Sequence, residues 1–318
     1  MLRLPRLTPR CGTTVGESFR LQLVHWRICV FSGSIIVRFT SVLTCAALLG
    51  LSNTAGATTI VYNGFTNTAG LTINGDAAAI NTGSRTVMRV TPSAFFNSGS
   101  VFSTSAIAFA PSYGFSTRFT FNFNTPRGGG ADGLVFVIQP NGNNVGGSGG
   151  GIGYGGIKKS LGVEFDSFNN IPIDNGSHNH IGIDLNGSLI SLVQNKTLPF
   201  VFDRGQDLTS WIDYDGSTQI IEVRLSNANI RPLAALLSYK FDLAATIGAP
   251  KAFVGFTSGT GGGAANHDLV NWEFRDRFVP IVTAAVPEAG TWMMMIAGFG
   301  LVGSAMRYRR RRLLFSQG

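Results

Sequence analysis

Between residues 58 and 280 hardly any window places apolar residues at the 3.6-residue spacing of a helix. Segment 115–123 (FSTRFTFNF) alternates instead, as does 220–225 (IIEVRL), with the two-residue period of half-buried strands. Further short β-rich runs lie at 134–138 (LVFVI), 161–165, 180–185, 188–192 and 252–256. Gly, Asn, Ser and Pro clusters separate them at intervals that suit two packed antiparallel sheets. A short helix is expected near 233–237, after Pro232. The fold class read from this pattern is an all-β sandwich, and the 318 residues are enough to bury a full core.

The net charge of +8 belongs to the two ends. Residues 1–57 hold six Arg and one Glu, and residues 281–318 hold five Arg and Glu288. That leaves 14 basic against 15 acidic residues in 58–280, a net of −1. A phosphate-binding surface needs a basic stripe that this middle segment lacks, so nucleic acid is excluded as a partner. Cys11, Cys29 and Cys45 all precede residue 58, which excludes a disulfide framework or a cysteine zinc site beyond it.

Both ends read as addresses. Residues 39–51 form an apolar run with Arg38 before it and Ala55-Gly56-Ala57 after it, the pattern of a secretory signal cut after Ala57. The 35 residues ahead of that signal make an unusually long leader, and translation starting near Val37 would remove them. At the other end, Val286-Pro287-Glu288 leads into Thr291-Trp292, an apolar run to Met306 and the cluster Arg307 and Arg309 to Arg312. An interfacial Trp, a short apolar helix and a basic end describe a membrane stop with the basic end cytoplasmic. The arrangement resembles the PEP-CTERM sorting signal of Gram-negative bacteria, with Ala289 in place of the motif's second Pro. That resemblance implies export, an inner-membrane-anchored precursor, processing by an exosortase-type enzyme, and a final place at the cell surface or in extracellular matrix. The chain is thus read as a leader (1–57), a β domain (58–280) and a sorting tail with a C-terminal hydrophobic helix (281–318).

The chemistry concentrates in residues 164–180 (EFDSFNNIPIDNGSHNH). Glu164 and Asp166, two apart on a strand, point to one face and repel unless a cation or proton sits between them. Asn170, Asp174 and His180 follow. Carboxylate and amide oxygens suit calcium, and an imidazole among them suits a transition ion such as manganese. A solvated acidic turn is the other reading of the same residues. Residues 142–156 (GNNVGGSGGGIGYGG) form a glycine-rich loop, with no GK[ST] to make it a phosphate loop.

Four blocks in order, Ala131-Asp132-Gly133-Leu134, LGVEFDSFNN, NHIGIDLNGSLIS and GFTSGTGG with HDLVNWEF, resemble the L-type (legume-lectin-like) lectin domain across 58–277. The resemblance implies a concanavalin-like jelly-roll sandwich with paired Ca2+ and Mn2+ beside a sugar pocket. By position, Glu164, Asp166, Asp174 and His180 would hold the transition ion. Asp166, Asn170, Asp174 and the Phe168 carbonyl would hold calcium. Asp132, preceded in that family by a cis peptide bond, would accept from two sugar hydroxyls, with Asn170 clamping from the other side. The Gly150 and Gly151 backbone would approach the same sugar, and Phe168 would be its aromatic plate or a packed core residue. Gly261 and Gly262 would form the facing wall. His267 reads as structural, and Asn175 and His178 as solvent-facing.

The implied function is reversible, non-catalytic glycan or exopolysaccharide binding, with homo-oligomerisation left open. Two rival classes share the fold. Laminarinase-like glycoside hydrolases carry E-x-D-x-x-E, and here Asn169 occupies the third position, removing the general acid. An adhesive matrix protein using the fold as scaffold is the other.

Overall fold

The computed structural model describes residues 58–282 except Ser148 and Asn175, with helical residues at 294 and 297–299. The leader and nearly all of the apolar run and Arg tail lie outside the described residues. Among the described residues no helix is long and apolar enough to cross a membrane.

The strands in chain order are β1 (Thr59–Tyr62), β2 (Leu71–Gly75), β3 (Ala78–Asn81), β4 (Thr86–Thr91), β5 (Ser98–Ser103), β6 (Ile107–Ala108), β7 (Phe115–Arg127) and β8 (Gly133–Gln139). They continue as β9 (Leu161–Asp166), β10 (His180–Leu185), β11 (Val193–Asn195), β12 (Leu208–Asp215), β13 (Ile220–Ser226), β14 (Leu237–Lys240), β15 (Lys251–Gly259) and β16 (Ala264–Arg275). One sheet runs β14-β13-β12-β7-β16-β4-β3 with β1 on β16; the other runs β11-β10-β9-β8-β15-β5-β2 with β6 on β15. We call them the back and front sheets. Neighbouring strands are antiparallel, and the jelly-roll sandwich expected from the sequence is what forms.

The core between the sheets is aromatic. Phe119 and Phe121 of β7 meet Phe256 of β15 at 4.8 Å and Phe165 of β9 at 4.9 Å between ring centroids. Edge-on and tilted rings at these distances add specific attraction to their area burial. Alternation then decides the site. Val163 and Phe165 of β9, and Ile181 and Ile183 of β10, belong to this core. Glu164, Asp166, His180 and Gly182, each one residue out of phase, face outward.

Three local expectations are corrected. The alternating segment 115–123 is buried on both faces, because β7 lies mid-sheet. Its outward Thr120 and Asn122 are covered through hydrogen bonds to Thr209, Gly205 and Asp207. Residues 188–192 are not a strand: Ser188 turns its hydroxyl onto the Ile190 amide, a local bond that competes with a ladder, and the edge strand is β11. No helix forms at 233–237, where Leu237 opens β14 against Val223. The helix is α1 (Leu243–Ile247), with the Asp242 side chain accepting from Ala245 N and Gly248 ending it in the left-handed region.

Candidate metal centre and binding pocket

The register of the front sheet assembles the cluster. His180 on β10 lies opposite Asp166 on β9, and Gly182 lies opposite Glu164. A side chain at Gly182 would collide with Glu164 and the Ser191 hydroxyl, so glycine there leaves room for the carboxylate. Glu164, Asp166 and His180 are buried and can each place a ligand atom within 4.8 Å of the others. His180 Nε2 is 3.3 Å from Glu164 Oε1 and 3.8 Å from Asp174 Oδ1. Both ring nitrogens of His180 lack a hydrogen-bond partner.

Backbone amides aim the loop carboxylates. Phe168 N donates to Asp166 Oδ1 at 2.6 Å, and Asn170 N donates to Asp174 Oδ2. Burial, with Glu164 adjacent, pushes the Asp166 carboxyl well above the ordinary carboxylate range. Clustered carboxylates around an imidazole, with charge disfavoured by burial, fit a divalent ion with oxygen and nitrogen ligands. Asn175 lies outside the described residues, and the His178 ring stands edge-on to Phe168 at 6.3 Å.

Sequence reasoning missed Asp184 and Ser191. Asp184 is fully buried on β10 and is likewise raised by burial and by Glu164. Ser191 donates to Glu164 Oε1 at 2.7 Å. The signal for Asp184 was present: it follows His180 by four residues on one strand and so shares its face.

Asp132 stands beside this cluster, immediately before β8, and the Ala131–Asp132 peptide bond is cis. Its amide donates to Gly259 O at 3.1 Å, and its carbonyl accepts from Ser167 N and Oγ at 2.9 and 3.1 Å. The ends of β15 and β9 therefore hold it from both sides. Burial pushes its carboxyl up to about 6, against a hydrogen bond from Asn170 and with the charge of Asp174 adding to the rise. Asp132 Oδ2 and Asn170 Oδ1 are buried without a partner.

The glycine-rich loop folds back over the front sheet, burying Ile152, Tyr154 and Ile157 against Val135 and Val137. This brings Gly150 so close to Asn170 that any side chain there would collide with the amide. The Cβ direction of Gly151 is open, and so is that of Gly262, whereas a Cβ on Gly261 would lie 3.5 Å from Asp132 Oδ2. Phe168 is half-buried. His267 is fully buried, with Nδ1 2.7 Å from the Thr91 hydroxyl and 3.1 Å from that of Ser258, which donates to Gly133 O.

A jelly roll with this outward polar cluster and an adjoining carboxylate–amide pair defines the class of legume-type sandwich lectin folds. Residues 57–285 match the legume lectin domain, and the chain belongs to that family. Residues 285–312 match the PEP-CTERM protein-sorting motif. The basic agglutinin of Psophocarpus tetragonolobus is 36% identical over 183 residues, covering 50% of this chain and 68% of the agglutinin. The L-type lectin-domain containing receptor kinase VIII.1 of Arabidopsis thaliana is 33% identical over 211 residues. That match covers 64% of this chain, which thus spans only 28% of the kinase's length. Among solved structures, basic winged bean lectin with Tn-antigen superposes with a TM-score of 0.58 at 28% identity, covering 69% of this chain and 98% of that one. The lectin from Bauhinia forficata in complex with GalNAc gives 0.60 at 23% identity, covering 69% and 97%, a likeness of fold.

Proposed function

We propose that this chain is an exported lectin that binds glycans reversibly and performs no chemistry on them. The observation that carries the reading is the pair of buried, unpartnered oxygens on Asp132 and Asn170 with Gly150 pressed against the amide. Vicinal sugar hydroxyls supply the donors such oxygens lack. Asp132 accepts from two hydroxyls, Asn170 clamps from the opposite side, the Gly150–Gly151 backbone approaches the same sugar, and Phe168 packs against its apolar face. Gly261 and Gly262, having no side chains, leave the facing wall open to it.

Glu164, Asp166, Asp174 and His180 would hold a transition ion such as manganese; Asp166, Asn170, Asp174 and the Phe168 carbonyl would hold calcium. Such ions offset the clustered negative charge and fix the loop that carries Asn170. Ser191 positions Glu164 by donating to it, and Asp184 adds negative charge beside it. The agglutinins and lectins among the relatives support the binding role.

The sorting motif supports export from a Gram-negative cell, anchoring of the precursor by the C-terminal apolar run, and exosortase-type processing, with domain limits near 57 and 280. Display in many copies on a surface or in exopolysaccharide raises effective affinity without new contacts. Removing 281–318 should release the protein to the medium; retention at the surface would remove the tail from the account.

The test of binding is a glycan array on the full chain with Ca2+ and Mn2+, repeated after chelation and with Asp132→Asn. Loss of signal in both is expected. Stoichiometric metal without glycan binding in the wild type would leave a metal-stabilised scaffold in place of a lectin.

A further inference from the structure

On the outer face of the back sheet, two exposed apolar segments lie over neighbouring residues of the ladder. The first is residues 227–236 between β13 and β14, where Leu233 is 99% and Ile230 59% exposed. Arginines hold this loop onto the sheet. Arg118 donates to the Asn229 amide oxygen, Arg224 Nε donates to Leu233 O at 3.4 Å, and Arg231, from the loop itself, donates to Asp213 Oδ2 at 2.6 Å. The display of Ile230 and Leu233 is thus fixed by the fold. The second segment is residues 276–282, where Phe278 is 43% and Val282 73% exposed. Val279 N donates to the Ser116 hydroxyl at 3.1 Å, and its carbonyl accepts from Arg275 at 3.3 Å. Ser116 lies opposite Asp213 in the β7–β12 register and two residues from Arg118, so the two segments share one patch.

This patch sits where the chain enters and leaves the sandwich. Thr58 N donates to Asp276 Oδ2 at 2.6 Å, and Asp276 N donates to Thr58 O at 3.2 Å. The Asp132 pocket is at the other end of the same strands. β16 pairs with β7 from Arg275 opposite Ser116 to Ala264 opposite Arg127, a length of about 36 Å. At that far end a Cβ on Gly263 would lie 2.8 Å from the Cβ of Ala131, the residue before Asp132. Trp292, where the apolar run of the tail begins, follows Val282 by ten residues, at most about 35 Å of extended chain.

We propose that Ile230, Leu233, Phe278, Val279 and Val282 form a docking surface for the lipid bilayer that holds the tail, so that the anchored molecule keeps its sugar pocket turned away from the membrane. Given the anchoring role proposed for the tail, the short tether keeps this patch within reach of lipid. Contiguous exposed apolar side chains mark membrane or partner surfaces, and a bilayer takes them up at the boundary of head groups and acyl chains. Arg277, exposed next to Phe278, supplies a cation for the anionic head groups there. A stable protein partner engages roughly 20–30 residues a side, whereas five apolar side chains and a tether suffice for a lipid surface.

The test uses the full chain, with Cys11, Cys29 and Cys45 changed to serine, in vesicles of phosphatidylethanolamine and phosphatidylglycerol. A polarity-sensitive NBD label is attached through Leu233→Cys, Phe278→Cys or, at the pocket end, Phe95→Cys. Labels at 233 and 278 should brighten and lose most of their emission to brominated lipid, while the label at 95 does neither. Adding Ile230→Asp and Val282→Asp should release the label at 233 from lipid. Tail insertion is read separately, as the quenching by brominated lipid that Trp292→Phe removes. A quenched Trp292 with the label at 233 as free of lipid as the label at 95 overturns the proposal. So does a label at 233 that brightens yet resists brominated lipid while the protein cross-links as a dimer, which assigns the patch to a second copy. An unquenched Trp292 means that the tail does not anchor, and the docking surface falls with that reading.

Discussion

On the outer face of the back sheet, buried carboxylates sit against arginines. Asp268 accepts from Arg89 at 2.8 and 2.9 Å, and Asp213 accepts from Arg231 at 2.6 Å with Arg224 3.8 Å away. At the rim of the same face, Arg85 holds the Asp207 carboxyl below its ordinary range. On the outer face of the front sheet, Glu164, Asp166, Asp174 and Asp184 are buried together, and their ion-pair neighbour is His180. Burial pushes Asp166 and Asp184 the other way, well above the ordinary range. One face carries its own counter-charge within the chain. The other must draw it from outside or give up its charge, so the two polar faces differ in their electrostatics even without any ligand. His267 on β16 shows a third solution, since burial alone holds its imidazole neutral, down at about 3.

Removing divalent ions should separate the two faces most widely. An ion at a thousandfold excess over its dissociation constant stabilises the fold by about 4 kcal/mol, and the two ions proposed for the front face would act there only. Chelation should lower the thermal midpoint by many degrees and abolish glycan binding, as read by scanning calorimetry and array. A midpoint indifferent to chelation would mean the front carboxylates simply keep their protons.

Acid should expose the third solution next. The folded pKa of His267 is depressed to about 3 from 6.5. Between those values the unfolded chain binds a proton that the folded chain refuses. The contribution is fully present above about pH 6.5 and is lost as pH falls toward 3, by roughly 5 kcal/mol in all. Urea titrations of chelated protein from pH 7 to pH 4 should show this slope, and His267→Asn should flatten it. An unchanged slope in that variant would assign the acid sensitivity to the front carboxylates.

On the back face the corresponding break is Asp268→Asn. It strands Arg89, whose side chain is only 20% exposed. We expect a loss of about 2 kcal/mol, less than the 3–5 kcal/mol of a fully buried pair, with metal content and glycan affinity untouched. Loss of glycan binding in this variant would show that the two faces are not independent.

How much of this contrast is legible in the sequence depends on whether the relevant signal is local. Glu164 and Asp166 two apart on a β-rich run announce a shared face, and the order of the four lectin-like blocks carries the sandwich. Asp132 was readable only through that family pattern, because its partner Asn170 lies 38 residues away and meets it through the β8–β9 pairing. The long central strand β16 and the back-face ladder of Asn122, Asn124 and Asn266 resemble polar loop sequence, and only the sheet order gives each amide its partner. The helix expected at 233–237 fails for the same reason, since its last residue opens the edge strand β14. Leu237 is apolar in any local reading, but its ladder partner Val223 is what makes it extended.

The subtlest test exploits the sign of a single substitution. Asp184 is fully buried, and its charge is disfavoured by burial and by Glu164. Without metal, Asp184→Asn removes that conflict and should raise stability by up to about 1 kcal/mol. With metal bound, the same change withdraws negative charge from beside the ligand Glu164, and changes next to ligands typically weaken metal affinity about 10- to 100-fold. The variant should therefore melt higher than wild type after chelation and lower than wild type at limiting Ca2+ and Mn2+. On the back face, where the counter-charge is built in, Asp268→Asn destabilises under both conditions. A crossing of the melting curves at the front alone ties the difference between the faces to a bound cation, whereas parallel curves would make Asp184 an ordinary buried acid.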